Sequence, residues 1–274
     1  MPPIVVILLV ILALVAIFLA IIFPGKRKDM DEYISVKYAH RGLHNEERAE
    51  NSLSAFKAAV DAGFGIEMDV RLSKDRKLVV FHDDTLDRVC GVEGKVVDFT
   101  ADELAKLSLN GTGEGIPTFK EVLAAVDGKV PLIIEVKEDS GDAAVSAAVE
   151  KELFPYKGAF VLESFNPLTV ARVSKSFPEV CSGFLSRHFT KDPEHKGNIL
   201  YFALQHLLFN RICNPSFIAY HHEHYYMPVL RLVRLLGART IAWTVRSKEE
   251  ELAAYEHGFD TIIFENDIPA QMGK

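Results

Sequence analysis

Four short apolar runs of the 274-residue chain lead directly into residues capable of chemistry. Residues 36–39 run into His40-Arg41-Gly42, and residues 64–66 into Glu67-Met68-Asp69. Residues 78–81 run into His82-Asp83, and residues 132–134 into Glu135-Val136-Lys137. Alternate side chains of a β-strand share a face, so Glu67 and Asp69 point the same way, as do Glu135 and Lys137. If strands of this kind lie side by side, three carboxylates from two of them meet at one centre. Burying three carboxylates without partners would be prohibitive, and a bound cation resolves the conflict. A ligand set made only of oxygens suits Mg2+ or Ca2+ better than zinc. Salt bridges to Arg41, Arg71 or Lys137 are the plainer reading, and two histidines at neighbouring strand ends weigh against it. His40 and His82 can exchange protons near neutral pH. The fork of Arg41 fits two oxygens of a phosphate, and Lys137 adds a point charge. Together these groups predict phosphoryl chemistry on an anionic ester.

The elements that must position these residues are legible as nine apolar runs: 36–39, 64–68, 78–81, 132–136, 159–162, 180–185, 217–220, 240–244 and 261–264. Helical patterns with recognisable ends lie between them. Asn51-Ser52 can cap a helix that reaches Ala62 and stops at Gly63. Thr100 with Glu103, Thr118 with Glu121, and Ser247 with Glu250 have capping-box spacing. Gly237 and Gly258 sit where two later helices should end. Strand–helix alternation over this length predicts a parallel sheet covered by helices. Residues 71–77 are too few for a crossover helix between the second and third strands, so these two form a hairpin. Its turn near Lys74-Asp75-Arg76 brings Asp69 opposite Phe81 or His82. Nine strands then become an eight-stranded β/α barrel with one extra hairpin strand. Active sites of such barrels lie at the carboxyl ends of the strands, where the four chemical motifs fall.

Residues 4–23 form an unbroken apolar run. As a helix it would span about 30 Å, the thickness of a bilayer core. A cleaved signal peptide would normally start with basic residues, and Met1-Pro2-Pro3 carries none. Lys26-Arg27-Lys28 follows the run, and a basic flank stays on the cytoplasmic side. The expected protein is therefore single-pass, with its catalytic domain facing the cytoplasm. Its expected organisation is a transmembrane anchor over residues 1–25, a charged linker over 26–32, and the barrel over 33–274. Outside the apolar run, the hydrophobic share falls from 49% to about 45%, ordinary for a soluble domain. A net charge of −7 argues against nucleic acid as a partner, and no obligate protein partner is inferred. Cys90, Cys181 and Cys213 fit no zinc or disulfide spacing and read as structural.

In chain order, His40-Arg41-Gly42, Glu50-Asn51-Ser52, Glu67-Met68-Asp69-Val70, the stretch from Val80 to Arg88, Pro117-Thr118 and Glu135-Val136-Lys137 resemble the glycerophosphodiester phosphodiesterase family. Ser164-Phe165 and Trp243-Thr244-Val245 continue the match, which runs from about Tyr38 to Ile268. The resemblance implies a TIM-type barrel that hydrolyses glycerophosphodiesters to glycerol 3-phosphate and an alcohol, using a divalent cation. It places Glu67, Asp69 and Glu135 as metal ligands and His40 and His82 as the acid/base pair. Arg41 and Lys137 fall at its phosphate-contacting positions. Two departures stand out: Arg246 follows Trp-Thr-Val where the family usually has Asn, and the last strand ends Phe264-Glu265-Asn266-Asp267 where it usually has Thr-Asp.

Other residues divide between structure and substrate. Trp243 and Phe165 read first as packing in the barrel mouth and second as contacts for the glycerol end of the substrate. Asn51 reads as a helix cap before any role near the phosphate, and Glu50 as a supporting residue. His221-His222-Glu223-His224 reads as a polar strand end, since alternation on a strand prevents all four from sharing one ion. Residues 190–198 read as a solvated loop. Residues 199–209 read as a core helix in preference to a membrane-facing lip. Two alternatives accompany the predicted activity: a lysophospholipase D-like activity on membrane lysolipids, and a catalytically silent barrel that binds phosphodiesters or scaffolds a complex.

Overall fold

The computed structural model describes residues 2–25, 29–138 and 143–266. All nine expected strands form: β1 (Tyr38–Ala39), β2 (Gly65–Leu72), β3 (Leu78–Val80), β4 (Leu132–Val136), β5 (Phe160–Ser164), β6 (Ser182–Ser186), β7 (Phe217–His221), β8 (Arg239–Val245) and β9 (Thr261–Phe264). Eight of them are parallel and run in the order β1-β9-β8-β7-β6-β5-β4-β2, and β1 closes the barrel by pairing with β2. Strand β3 is antiparallel to the last residues of β2, with Val70 opposite Val80 and Phe81 N–H bonded to the Asp69 carbonyl. The hairpin and its register are those expected from the short 71–77 connection.

One parity of side chains fills the barrel, and the other faces the helices. Tyr38, Ile133, Val161, Leu185, Phe217, Ala219, Ile241 and Ile263 pack together inside, and Met30 closes this cluster from the N-terminal segment. Ile66, Met68, Val70, Ile134, Val136 and Leu162 face outward into the larger layer under the helices. The inward parity carries Glu67 and Asp69 on β2, and Glu135 and then Lys137 on β4. Each ends up above an apolar plug, so the polar groups gather at one end.

Local sequence sets the helix starts. Ser52 caps the helix Leu53–Asp61 by accepting from Ala55 N–H, and Gly63 follows with φ +72°. Thr100 and Thr118 form complete capping boxes with Glu103 and Glu121. Ser247 forms only half of one, because the Glu250 carboxylate accepts from Arg246 N–H. Residues 190–198 are the solvated loop expected, exposed or half-buried throughout, with two short 3-10 turns, Phe189–Lys191 and Pro193–His195. The helix Ile199–Gln205 is core only at its end: Leu204 and Gln205 are buried, whereas Ile199, Leu200 and Phe202 are exposed.

The apolar run forms the helix Pro3–Ile22, long and apolar enough to cross a membrane. Its last turn docks on the barrel: Ile22 is fully buried, and Phe18 and Leu19 pack against the outer layer. Buried Asn210 donates to the Ile22 carbonyl (2.9 Å), and Gly25 N–H donates to the Pro215 carbonyl (2.8 Å). Lys26-Arg27-Lys28 lie outside the described residues, so the basic flank of the expected topology does too.

Gly183 on β6 sits against the Phe217 ring, which a Cβ would overlap. Phe217 is itself fully buried and has nowhere to retreat. Gly183→Ala is expected to lower unfolding stability by about 1–3 kcal/mol, as overpacking does in a filled core. A chemical denaturation midpoint equal to wild type would contradict this view of the barrel interior.

Candidate active site

The carboxyl ends of the strands surround a cavity of about 440 Å3 that contains His40, Arg41, Glu67, His82, Glu135, Phe165 and Trp243. Carboxylate oxygens of Glu67, Asp69 and Glu135 lie within 4.8 Å of one another, and all three residues are buried. Parallel pairing of β2 with β4 sets Asp69 beside Glu135, and strand alternation adds Glu67 one step below. Lys137 reaches back over this cluster, with Nζ 2.7 Å from Glu135 and 3.1 Å from Asp69.

The His-Arg-Gly turn after β1 closes the other side. Arg41 has φ +55°, and its N–H donates to Glu67 (3.0 Å). Gly42 follows at φ +81°, where a Cβ would press on the Ala55 backbone at 2.9 Å, so the turn needs glycine there. Arg41 Nη1 bonds Glu50 (2.7 Å), and its Nε lies 3.5 Å from Asp69. Asn51, expected as a cap, instead donates its side-chain amide to Asp69 (2.9 Å), and Ser52 does the capping.

Burial pushes the Glu67 carboxyl well above the usual range, and the nearby Asp69 and Glu135 charges push it further. Burial also raises Glu135, against the pull of Lys137. Asp69 goes the other way. Burial works against its ionised form, but Lys137, His82 and Arg41 outweigh that and hold it below the carboxylate range. The same two carboxylates keep Lys137 protonated in spite of its burial. A cluster in which burial and like charge keep part of the carboxyl set from ionising is electrostatically short of positive charge.

Each histidine is held through Nδ1. His40 Nδ1 is 2.5 Å from Glu265 and His82 Nδ1 is 2.5 Å from Asp83. Burial lowers both imidazoles, so each is neutral more readily than a free histidine. Asp83 is clamped in turn by Arg88, at 2.6 and 3.1 Å, and Arg88 also binds Glu50 through two nitrogens. Burial disfavours the Asp83 anion, but Arg88 and His82 bring the group down to about 2. Arg41, Glu50, Arg88, Asp83 and His82 therefore form one continuous chain of polar contacts.

Phe165 and Trp243 meet edge-to-face at 5.5 Å on the opposite wall. Glu163, absent from the expected site, lies between that wall and the carboxylate cluster. It is buried, its Oε2 has no hydrogen-bond partner among the described residues, and burial and Glu135 raise it well above the usual range. The available signal was parity: Glu163 pairs in register with Glu135 and lies two residues before Phe165. His221 ends β7 beside Trp243 at 5.0 Å, but His222–His224 form a 3-10 turn instead of continuing the strand. The four-residue alternation expected there is replaced by a turn that stacks His221 on His222 and tilts His224 towards it.

The sequence profile of the glycerophosphoryl diester phosphodiesterase family matches residues 40–266. The chain belongs to this family. A glycerophosphodiester phosphodiesterase of Caldanaerobacter subterraneus subsp. tengcongensis is 32% identical over 239 residues, covering 82% of this chain and 91% of that relative. The crystal structure of the Thermotoga maritima glycerophosphodiester phosphodiesterase shares 29% identity, with a TM-score of 0.65 over 84% of this chain and 93% of its own. An Oleispira antarctica phosphodiesterase, in complex with the product sn-glycerol-3-phosphate, shares the fold at a TM-score of 0.71 and 23% identity, covering 85% of this chain and 93% of that one. As a member of the glycerophosphoryl diester phosphodiesterase family the protein is an enzyme, and its barrel is the fold it shares with these relatives.

Lys137 holds two buried carboxylates. Lys137→Met should therefore cost about 3–5 kcal/mol in the presence of chelator, because it leaves them uncompensated. A loss below about 1 kcal/mol in denaturant titration would show that the lysine does not balance the cluster.

Proposed function

We propose that the protein hydrolyses glycerophosphodiesters to glycerol 3-phosphate and an alcohol, with His40 and His82 as the acid/base pair and Glu67, Asp69 and Glu135 as ligands of a divalent cation. The observation that carries this reading is the common cavity. Two imidazoles, each fixed at Nδ1 by a carboxylate, lie at strand ends around one buried three-carboxylate cluster. The all-oxygen donor set and its shortage of positive charge fit Mg2+ or Ca2+. When bound, such an ion supplies positive charge to the phosphate oxygens as negative charge builds on them.

The chain's own residues do the rest. Arg41 presents its guanidinium beside the cluster and binds the phosphate, while Glu50 and the Arg88 chain hold it in place. A neutral imidazole takes the proton of the attacking hydroxyl, which is water, giving glycerol 3-phosphate directly, or the neighbouring glycerol hydroxyl, giving a cyclic phosphate that water then opens to glycerol 3-phosphate. The other, protonated and paired through Nδ1 with its own carboxylate, delivers its Nε2 proton to the departing alkoxide. Lys137, already bonded to Asp69 and Glu135, keeps those carboxylates in place and adds charge near the phosphate. The Phe165–Trp243 wall shields the site and packs on the carbon skeleton of the glycerol.

We infer further that the helix Pro3–Ile22 anchors the enzyme in a membrane, with the barrel on the cytoplasmic side. The joint at Asn210 and Pro215 supports a retained helix, since a segment destined for cleavage needs no seat on the folded domain. That joint immediately precedes β7 and so lies at the end of the barrel opposite the mouth. This favours small, water-borne diesters over lysolipids drawn directly from the bilayer.

Purified full-length protein in detergent should hydrolyse glycerophosphocholine with Mg2+ or Ca2+ and stop when chelator is added. His40→Ala and His82→Ala should each reduce turnover about 10²- to 10⁴-fold while the melting temperature holds. Near-wild-type turnover in either variant would remove the acid/base assignment. No hydrolysis of any headgroup with either ion would favour the silent barrel. Faster turnover of long-chain lysophosphatidylcholine than of glycerophosphocholine would favour the lysophospholipase D reading. For the anchor, the chain should stay in the membrane pellet after alkaline carbonate washing. Recovery of a soluble form lacking the first 22 or so residues would identify a cleaved signal instead.

A further inference from the structure

Arg246 and Glu265, which fall in the two stretches where the motif pattern departs from its family, are far apart in sequence but bonded to each other. Arg246 Nε donates to Glu265 Oε2 at 2.8 Å. The other oxygen of the same carboxylate, Oε1, faces His40 Nδ1 at 2.5 Å. Strand pairing sets this up: β8 and β9 are neighbours, and Glu265 N–H bonds the Val245 carbonyl, so the residues just past both strands lie side by side. Strand β1 adjoins β9 on its other edge, and His40 N–H bonds the Phe264 carbonyl. Arg246, Glu265 and His40 thus come from the ends of three adjacent strands.

We propose that Arg246 and Glu265 act as one positioning unit for His40. The carboxylate fixes the tautomer and tilt of the ring, so that Nε2 carries the lone pair and faces the cavity. The arginine fixes the carboxylate. The proposal rests on the acid/base reading of His40. The geometry supports each link. His40 Nε2 lies 3.8 Å from Glu67, on the cavity side of the ring. Glu265 is largely enclosed and turns both oxygens to these two partners. Arg246 is half exposed at the rim, and its backbone is pinned where its N–H donates to the Glu250 carboxylate (2.6 Å). A carboxylate bonded to one imidazole nitrogen determines which nitrogen is free to take a proton. The arrangement repeats, from different strands, the Arg88–Asp83–His82 contacts on the other side of the cavity. A rim arginine could instead contact the substrate directly, and that alternative predicts a different kinetic signature.

The test uses full-length protein in detergent and the variants Glu265→Gln, Arg246→Ala and the double variant, with glycerophosphocholine and divalent ion. Glu265→Gln should lower kcat about 10- to 100-fold with KM within about twofold. Arg246→Ala should lower kcat less, and the double variant should match Glu265→Gln alone, because the arginine works through the carboxylate. Glu265→Asp or Arg246→Lys should recover part of the loss. A second readout is independent of turnover. In proton NMR, a far-downfield Nδ1–H resonance should be present in wild type, vanish in Glu265→Gln and persist in Asp83→Asn. Losses that multiply in the double variant, or Arg246→Ala raising KM at unchanged kcat, would overturn the unit in favour of direct substrate contact. If no variant or wild type turns over substrate, the NMR comparison alone decides, and retention of the resonance in Glu265→Gln would refute the proposal.

Discussion

Four carboxyl groups, on Glu67, Asp69, Glu135 and Glu163, are buried in the upper parts of β2, β4 and β5, and among the described residues Arg41 and Lys137 are the permanent cations bonded to them. Much of the structure around the mouth of the barrel answers to that imbalance. Lys137 reaches back across its own strand end, Arg41 takes a left-handed backbone conformation to bring its N–H onto Glu67, and Asn51, one residue before the helix cap Ser52, bonds Asp69. Each contact stabilises an ionised oxygen that burial would otherwise penalise, and together they still leave Glu67, Glu135 and Glu163 raised. Burial and mutual repulsion thus keep part of this carboxyl set from ionising, and added positive charge at the cavity would relieve both. The apolar plug beneath it, from Tyr38 to Phe217, makes that possible by excluding water from the barrel axis.

The same logic of layered support extends outward from the cluster. His82 is held by Asp83 and that carboxylate by Arg88, while Arg88 also steadies Glu50 and through it Arg41. On the far side, His40 is held by Glu265 and Glu265 by Arg246. A histidine whose protonation state changes is poorly held by a rigid hydrophobic contact alone. A carboxylate with its own cationic partner tolerates both states and keeps the ring in place.

The N-terminal helix obeys a different constraint. Its apolar side chains cannot be satisfied by water, yet only its last turn is covered by the barrel. The covered turn is where polar satisfaction matters most, since the carbonyls that end a helix have no partner within it. Asn210 supplies one such partner to Ile22 from inside the protein. The barrel thereby terminates the helix, and the two parts meet at a defined joint instead of a free tether.

Most of the architecture was legible in the chain because its signals are local. Strand runs, helix caps and the length of the 71–77 connection each depend on a few neighbouring residues, and they determined nine strands, the hairpin and the barrel. The carboxylate triad was legible because alternation within a strand states which side chains share a face, and both histidines were legible from their place at the ends of apolar runs. What escaped was decided between strands. Glu163 carries the inward parity, but only the register of β5 on β4 sets it beside Glu135. Arg246 and Glu265 looked like two unrelated departures until the pairing of β8, β9 and β1 brought them to one histidine. Asn51 and Ser52 are both competent caps by residue type, and a tertiary partner, Asp69, chose between them. His222–His224 turn away from their expected strand because β7 ends at His221, where the barrel rim ends. Sequence by itself determined the elements and the chemistry they carry. Only closing the barrel decided which charges face each other, because the interaction between two charges depends on a distance that no local pattern encodes.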